Sequence, residues 1–153
     1  FTNDVYRQKG IAVLQKIPTP ITPVELSKDG GRITLAYFDK QSTVDYIGVA
    51  QGVPICFDAK ETGLKSLPIQ NVHEHQIEFM NGVAFLLVHF SHYNEYFFLP
   101  FEVLNKYYIE SKKGGRKSIP YSAFEKQYEI EQKNSTILNY LQAVNVYLHN
   151  KDK

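Results

Sequence analysis

Little in this chain of 153 residues can cross-link it, carry it into a bilayer or charge it strongly. Cys56 is its one cysteine, which excludes an intrachain disulfide. Its place in the apolar run 53–57 reads as core and leans towards a reducing compartment. No apolar stretch approaches the length that spans a bilayer, and no signal-peptide pattern opens the chain. A cytoplasmic protein with no membrane partner is therefore expected. The formal net charge of +1 excludes polyanion binding by bulk charge, so any nucleic-acid contact has to come from local basic clusters. There is no G-x-S-x-G elbow to suggest a serine hydrolase, and there is no internal repeat. An initiator methionine is also lacking, and the start in mid-pattern at Phe1 reads as an excerpt of a longer protein.

What is present is a hydrophobic content of 43% and an aromatic content of 14%, enough for a packed globular domain rather than a disordered chain. At this length one domain is expected, burying about two-thirds of its unfolded surface. Residues 2–8 read as the end of a helix stopped at Gly10, and 11–14 as a buried strand broken by Pro18-Thr19-Pro20. Segments 21–26 and 32–38 flank an Asp29-Gly30-Gly31 tip and predict a hairpin-like arm projecting from the body. Residues 44–49 and 53–60 predict two strands joined by a tight turn at Gln51-Gly52. The second is apolar until Asp58, as a strand buried on both faces should be.

Further on, 62–68 reads as a loop and 71–80 as a helix, with Val72, Gln76, Phe79 and Met80 at roughly helical spacing. Residues 83–90 and 95–99 predict a strand pair, 101–110 a helix, 111–118 a mobile basic loop, and 121–128 a short helix. Residues 135–149 predict an amphipathic helix with Ile137, Leu138, Leu141, Val144 and Leu148 on one face. Strands and helices interleave around one sheet, so the fold class is α/β.

Chemistry concentrates where Asp45 and Asp58-Ala59-Lys60 fall at neighbouring strand ends. Hydrolysis of a phosphodiester needs a nucleophile at neutral pH and neutralised phosphate charge; Mg²⁺ or Mn²⁺ supplies both and prefers oxygen ligands. Asp45 and Asp58 would be the paired ligands, with the Ala59 carbonyl as a third. Strand alternation puts Asp58 and Lys60 on one face, so Lys60 can orient the attacking water and stabilise transition-state charge. This spacing arises by chance in many proteins. The apolar strand running straight into Asp58 lifts it above chance, because exposed charges alternate along a half-buried strand.

Gln76 could reach the metal or its water, or simply face solvent. Thr43, two residues before Asp45, could offer an oxygen to the metal, though β-propensity explains it equally well. His73-Glu74-His75 does not suit zinc, since residues two apart on a helix diverge by about 200°. Basic residues that could track a phosphate backbone are Lys28 and Arg32 on the arm, and Lys112, Lys113, Arg116 and Lys117 in the loop. A charged loop is more often merely solvated. Of the 11 tyrosines most should pack, although a few could stack on unpaired bases.

Several strings in order carry a resemblance to one family. They are Gly10-Ile11-Ala12-Val13, Lys16-Ile17-Pro18-Thr19-Pro20, Ala36-Tyr37-Phe38 and Ser42-Thr43-Val44-Asp45-Tyr46-Ile47-Gly48. They continue with Phe57-Asp58-Ala59-Lys60-Glu61-Thr62, the run from Pro68 to Ile77, and Gly115-Arg116-Lys117-Ser118-Ile119. Together, from about residue 2 to 120, they resemble the RecU-type Holliday-junction resolvases of Gram-positive bacteria, within the PD-(D/E)xK nucleases.

The resemblance implies a restriction-endonuclease-like core, a mixed β-sheet flanked by helices, with residues 19–40 as a stalk inserting at the crossover of a four-way DNA junction. It implies one nuclease domain over 1–153, a homodimer, and paired Mg²⁺-dependent nicks with Mn²⁺ able to substitute. It names recombinase and branch-migration proteins as further candidate partners. By position, Thr43, Asp45, Asp58 and Gln76 match the family's metal sites and Lys60 its transition-state stabiliser.

Three departures stand out. Asp58 replaces the usual Glu, so the metal should shift or take a bridging water. The family's N-terminal arm, with an acidic residue on its first helix, is absent from this chain. Beyond 120 the likeness fades, with Asn134-Ser135-Thr136-Ile137-Leu138-Asn139-Tyr140 where a Pro-Arg-Ile-Asp-Tyr-like string is usual. The leading expectation is a structure-specific endonuclease of recombination and repair. The alternatives are a nuclease of similar fold with another DNA substrate, and a non-catalytic junction-binding accessory protein.

Overall fold

Ten residues, Val53–Thr62, form the strand around which the molecule is built. We describe the chain from a computed structural model, which places residues 1–38, 43–80, 82–133 and 137–153. Residues 39–40 of the expected stalk, Ser42 of the motif, Asn134 and 135–136 of the expected last helix lie outside the described residues.

In chain order the elements are α1 (Thr2–Gln8), β1 (Ala12–Lys16), β2 (Ile21–Leu26), β3 (Ile33–Phe38), β4 (Tyr46–Ala50) and β5 (Val53–Thr62). They continue with β6 (Ser66–Pro68), α2 (Glu74–Phe79), β7 (Val83–Phe90), β8 (Glu95–Pro100), α3 (Phe101–Lys112) and β9 (Ser118–Pro120). The last are β10 (Gln132–Lys133), β11 (Ile137–Leu138) and α4 (Tyr140–Lys151). The main sheet runs β1-β4-β5-β7-β8, antiparallel except for the central β5/β7 pair, which is parallel over eight residues. This is the mixed sheet flanked by helices that the sequence predicts.

Alternation sorts the side chains of this sheet. Cys56, Leu86 and Val88 face Leu104 of α3 and Met80 behind α2. Ile55, Phe57 and Phe85 face Tyr6 of α1 and Tyr140, Val144 and Tyr147 of α4. On the α4 side the rings of Tyr46, Phe57, Phe85 and Phe98 contact one another strand to strand, at centroid spacings of 4.8, 4.9 and 4.5 Å. That aromatic row locks register beneath the residues that follow Phe57, because a slip would unstack all four rings. At Gly48 a Cβ would lie 2.1 Å from the Val13 carbonyl oxygen, so only glycine lets β1 approach β4 this closely. The β4–β5 turn is carried by Gln51 and Gly52, both at positive φ (49° and 84°).

The arm is a separate two-stranded hairpin, β2 paired with β3, and most of its residues are exposed on both faces. It leaves the body between β1 and the approach to β4, at the edge where Lys16 pairs with Tyr46.

Elsewhere the expected elements shift. The 11–14 strand is an edge strand, with Ala12 and Leu14 buried but Val13 57% exposed. In place of a 62–68 loop, β5 runs to Thr62 and β6 pairs with β9. The 71–80 helix shrinks to α2, because the chain after Pro68 makes a short turn and stays extended at His73. Residues 121–128 are two separate 3₁₀ turns; Phe124 packs on Phe90 and Phe97 and pulls the chain inward between them. Ile137 and Leu138 pair with β10, so α4 begins only at Tyr140. Among the described residues no helix is long and apolar enough to cross a membrane.

Candidate active site

Asp58 is the sixth residue of β5, directly after Phe57 of the aromatic row, and it points to the same side as Cys56 and α2. It is 0% exposed. A carboxylate so placed must be fully satisfied by partners. Register brings the first of them. Tyr46 lies opposite Phe57, so Asp45, one residue earlier, falls beside Asp58. Asp45 and the Asp58-Ala59 pair exchange hydrogen bonds: the Asp45 N–H donates to Asp58 Oδ1 at 2.9 Å, and the Ala59 N–H donates to Asp45 Oδ2 at 2.9 Å.

The other carboxylate oxygen faces α2. Gln76 Nε2 donates to Asp58 Oδ2 at 2.8 Å, and Lys60 Nζ lies 2.5 Å from the same oxygen. Lys60 also donates to Gln76 Oε1 at 3.2 Å, and that oxygen accepts the His73 N–H at 3.1 Å. Gln76 sits at the third position of α2 and reaches back to the residue before the helix, half of a capping box. The same bond that starts α2 thus aims an amide at Asp58. Burial, the largest influence, pushes the Asp58 carboxyl above the ordinary carboxylate range. The hydrogen bond and charge of Lys60 oppose this, and the charge of Asp45 adds to it.

Of the expected site residues, Asp45, Asp58, Lys60 and Gln76 therefore meet at one point. Gln76 is buried, not solvated, and it holds Asp58 with its N–H while its carbonyl faces Lys60. Thr43 is half-buried and lies ahead of β4 instead of on it, with Val44 buried between it and Asp45. Among the described residues no three His, Cys, Asp or Glu side chains gather as a metal cluster. A cation here would rest on two carboxylates plus amide, hydroxyl or carbonyl oxygens. That all-oxygen set fits a hard divalent ion, which keeps several of its waters. It does not fit zinc, and His73 and His75 stack ring on ring with centroids 5.5 Å apart.

The basic residues form two groups. Lys28 and Arg32 stand exposed on the hairpin. In the other group, Lys112 ends α3 and pairs with Glu74 of α2 at 3.5 Å, which sets this group beside the helix that carries Gln76. Lys117 Nζ is engaged by the Ser111 carbonyl at 2.9 Å, Arg116 Nε donates to Ser118 Oγ at 3.4 Å, and Lys113 is exposed. Sequence reasoning missed two contributors. One is the His73 backbone, signalled by the His-x-x-Gln spacing of a capped helix start. The other is Ile17, whose N–H donates to the Asp45 carbonyl at 2.8 Å and ties the root of the hairpin to the site.

The sequence model of the family described as Recombination protein U matches residues 1–146. The chain belongs to the RecU family. The match runs past residue 120, where likeness by motif fades. This RecU chain is 44% identical to the Holliday junction resolvase RecU of Lactococcus lactis subsp. lactis, over 94% of the chain and 72% of the relative. It is 40% identical to the protein of the same name from Pediococcus pentosaceus, over 97% and 80%. The Oenococcus oeni protein, also so named, is 40% identical over 93% and 78%.

Proposed function

We propose that this RecU chain is a structure-specific endonuclease that resolves four-way DNA junctions by metal-dependent hydrolysis of paired phosphodiesters. The observation that carries the chemistry is the convergence of Asp45, Lys60 and Gln76 on the buried Asp58 carboxylate. The junction comes from the family, whose named members are Holliday junction resolvases.

Bound Mg²⁺, or Mn²⁺ in its place, would supply a water nucleophile at neutral pH and neutralise charge on the reacting phosphate. Asp45 and Asp58 would hold it, with Thr43 and the Ala59 carbonyl as further oxygen donors. Asp58 is shorter than the family's usual glutamate and has both oxygens tied down, so Gln76 serves this site by fixing that carboxylate. Lys60 would hold a non-bridging phosphate oxygen and the attacking water through its ammonium hydrogens.

Residues 1–153 form one nuclease domain in this reading, with 19–40 as its stalk. The root of the hairpin is joined to the oxygen cluster through Ile17 and Asp45. A junction whose centre receives the hairpin thereby lays its arms near the cluster, while Lys112, Lys113, Arg116 and Lys117 flank the path on the α2 side. Two symmetric nicks require two such sites, hence a homodimer working in the cytoplasm. Recognition rests on junction shape, not on base edges.

The test is cleavage of a synthetic four-way junction with Mg²⁺ or Mn²⁺, beside linear duplex of the same sequence. Paired nicks in the junction and little cutting of duplex are expected. Equal cutting of both removes junction specificity, and tight junction binding with no cutting under either metal indicates an accessory protein.

A further inference from the structure

The Asp58 carboxylate has little acceptor capacity to spare. Oδ1 accepts the Asp45 N–H, and Oδ2 is shared by Gln76 Nε2 at 2.8 Å and Lys60 Nζ at 2.5 Å. A carboxylate oxygen offers about two acceptor directions, so groups of this chain saturate Oδ2. Gln76 completes the enclosure, its carbonyl accepting from both Lys60 and the His73 backbone. Turning the amide over would set oxygen against Asp58 and N–H against the ammonium, so the network fixes its orientation. Lys60 is thus seated between a carboxylate and an amide carbonyl, among oxygens that suit a hard divalent cation.

We infer that Lys60 is a built-in competitor of the metal: ammonium and divalent ion exclude one another from Asp58 Oδ2. This rests on the hydrolytic reading above. An ion held by that oxygen would have to share it with an ammonium already 2.5 Å away. Two cations on one oxygen repel strongly where the carboxylate is closed to solvent, because little water screens them. The lysine has a long flexible stem, and an arriving DNA phosphate offers it another anion. Substrate phosphate would therefore draw Lys60 off Asp58 and leave Oδ2 free to hold the metal, so that each ligand tightens the other. The site remains self-neutralised until DNA is seated, which guards against stray hydrolysis.

Calorimetric titration of Mn²⁺ into the intact, EDTA-treated protein tests this, with and without a cleavage-resistant phosphorothioate junction. Without DNA, Lys60→Met should bind Mn²⁺ at least tenfold more tightly than the natural chain, and Lys60→Arg no more tightly. The junction should tighten Mn²⁺ at least fivefold for the natural chain and less than twofold for Lys60→Met. Lys60→Gln replaces Lys60→Met if the latter does not fold. Equal or weaker binding by the folded variant overturns the inference alone, provided the natural chain binds Mn²⁺ and Asp45→Asn does not. No binding by either the natural chain or the charge-free variant overturns the hydrolytic reading as well.

Discussion

Midway along β5 a fully buried carboxylate is closed in by a backbone N–H, an amide and an ammonium. Joined to it through Ile17 and Asp45, the β2–β3 hairpin leaves Leu35 50%, Tyr37 56% and Phe38 76% exposed. One region is rigid because sheet register, aromatic stacking and a capped helix all fix the same few atoms. The other is held by its own ladder and by a tip where Ser27 donates to Asp29, Gly31 N–H donates to the same carboxylate, and Arg32 N–H donates to Ser27. An isolated two-stranded ribbon is marginal in water. The difference teaches that precision is concentrated where atoms must be placed for chemistry. Exposed apolar surface is kept where a large partner can cover it.

The sharpest way to break this contrast is at the cluster. Asp45→Ala should lower junction cleavage by about 10³-fold or more, since it removes a carboxylate the chemistry needs, while junction binding persists. Cleavage and mobility-shift assays on the same preparation separate the two, and surviving activity removes Asp45 from the site. Stability gives the next largest difference. Phe85→Ala, in the aromatic row, should cost about 3–5 kcal/mol in urea unfolding. Leu35→Ala on the hairpin should fall within about 0.5 kcal/mol. Similar losses at both positions would mean that the hairpin is packed.

Gln76→Ala leaves Asp58 short of a partner and should cost about 1–3 kcal/mol, with cleavage falling as well. A neutral effect on both would free Asp58 from its dependence on α2.

The two regions should also answer pH with opposite signs. The folded Asp58 carboxyl is raised, chiefly by burial, so its contribution to stability is complete below the unfolded value of about 3.9 and is lost as pH rises through the folded value. Asp29 is lowered, chiefly by the Ser27 hydroxyl and then by the Gly31 N–H, so its contribution is present above about 3.9 and is lost as pH falls through the folded value. In EDTA, Asp58→Asn should flatten the fall in urea stability from the acidic side towards neutrality. Amide exchange at Gly31 should quicken on acidification relative to Asp29→Asn. Parallel behaviour of the two carboxylates would dissolve the distinction. The smallest effect expected is electrostatic: Arg32→Ala should lower the salt slope of junction binding by about one.

How much of this is visible in the residues follows from range. β5 declares itself because an apolar run ends abruptly in Asp58, and the hairpin because Asp29-Gly30-Gly31 marks its tip. The meeting of Asp45 with Asp58 needs only a tight turn at Gln51-Gly52 and two strands in register. By contrast, β6 and β9 are three residues each and lie some fifty positions apart. Nothing local tells such segments from loop. Ile137 and Leu138 suit a helix face as well as a strand, so periodicity extends α4 too early. Gln76 is intermediate. Its residue type is ambiguous, and its value comes from a helix that starts later than spacing suggests, at a point set by its own side chain.

The strand alternation that separates Cys56, Asp58 and Lys60 from Phe57 and Ala59 has an evolutionary edge. Even positions of β5 carry the proposed site and odd positions the packing against α4. A single inserted or deleted residue between the Gln51-Gly52 turn and Lys60 would not merely shift the cluster. It would exchange the two roles, sending Asp58 towards α4 and a phenylalanine towards Asp45. This stretch should therefore tolerate substitution far better than any change of length, and natural length variation should collect in the hairpin tip and the basic loop, where parity has no meaning.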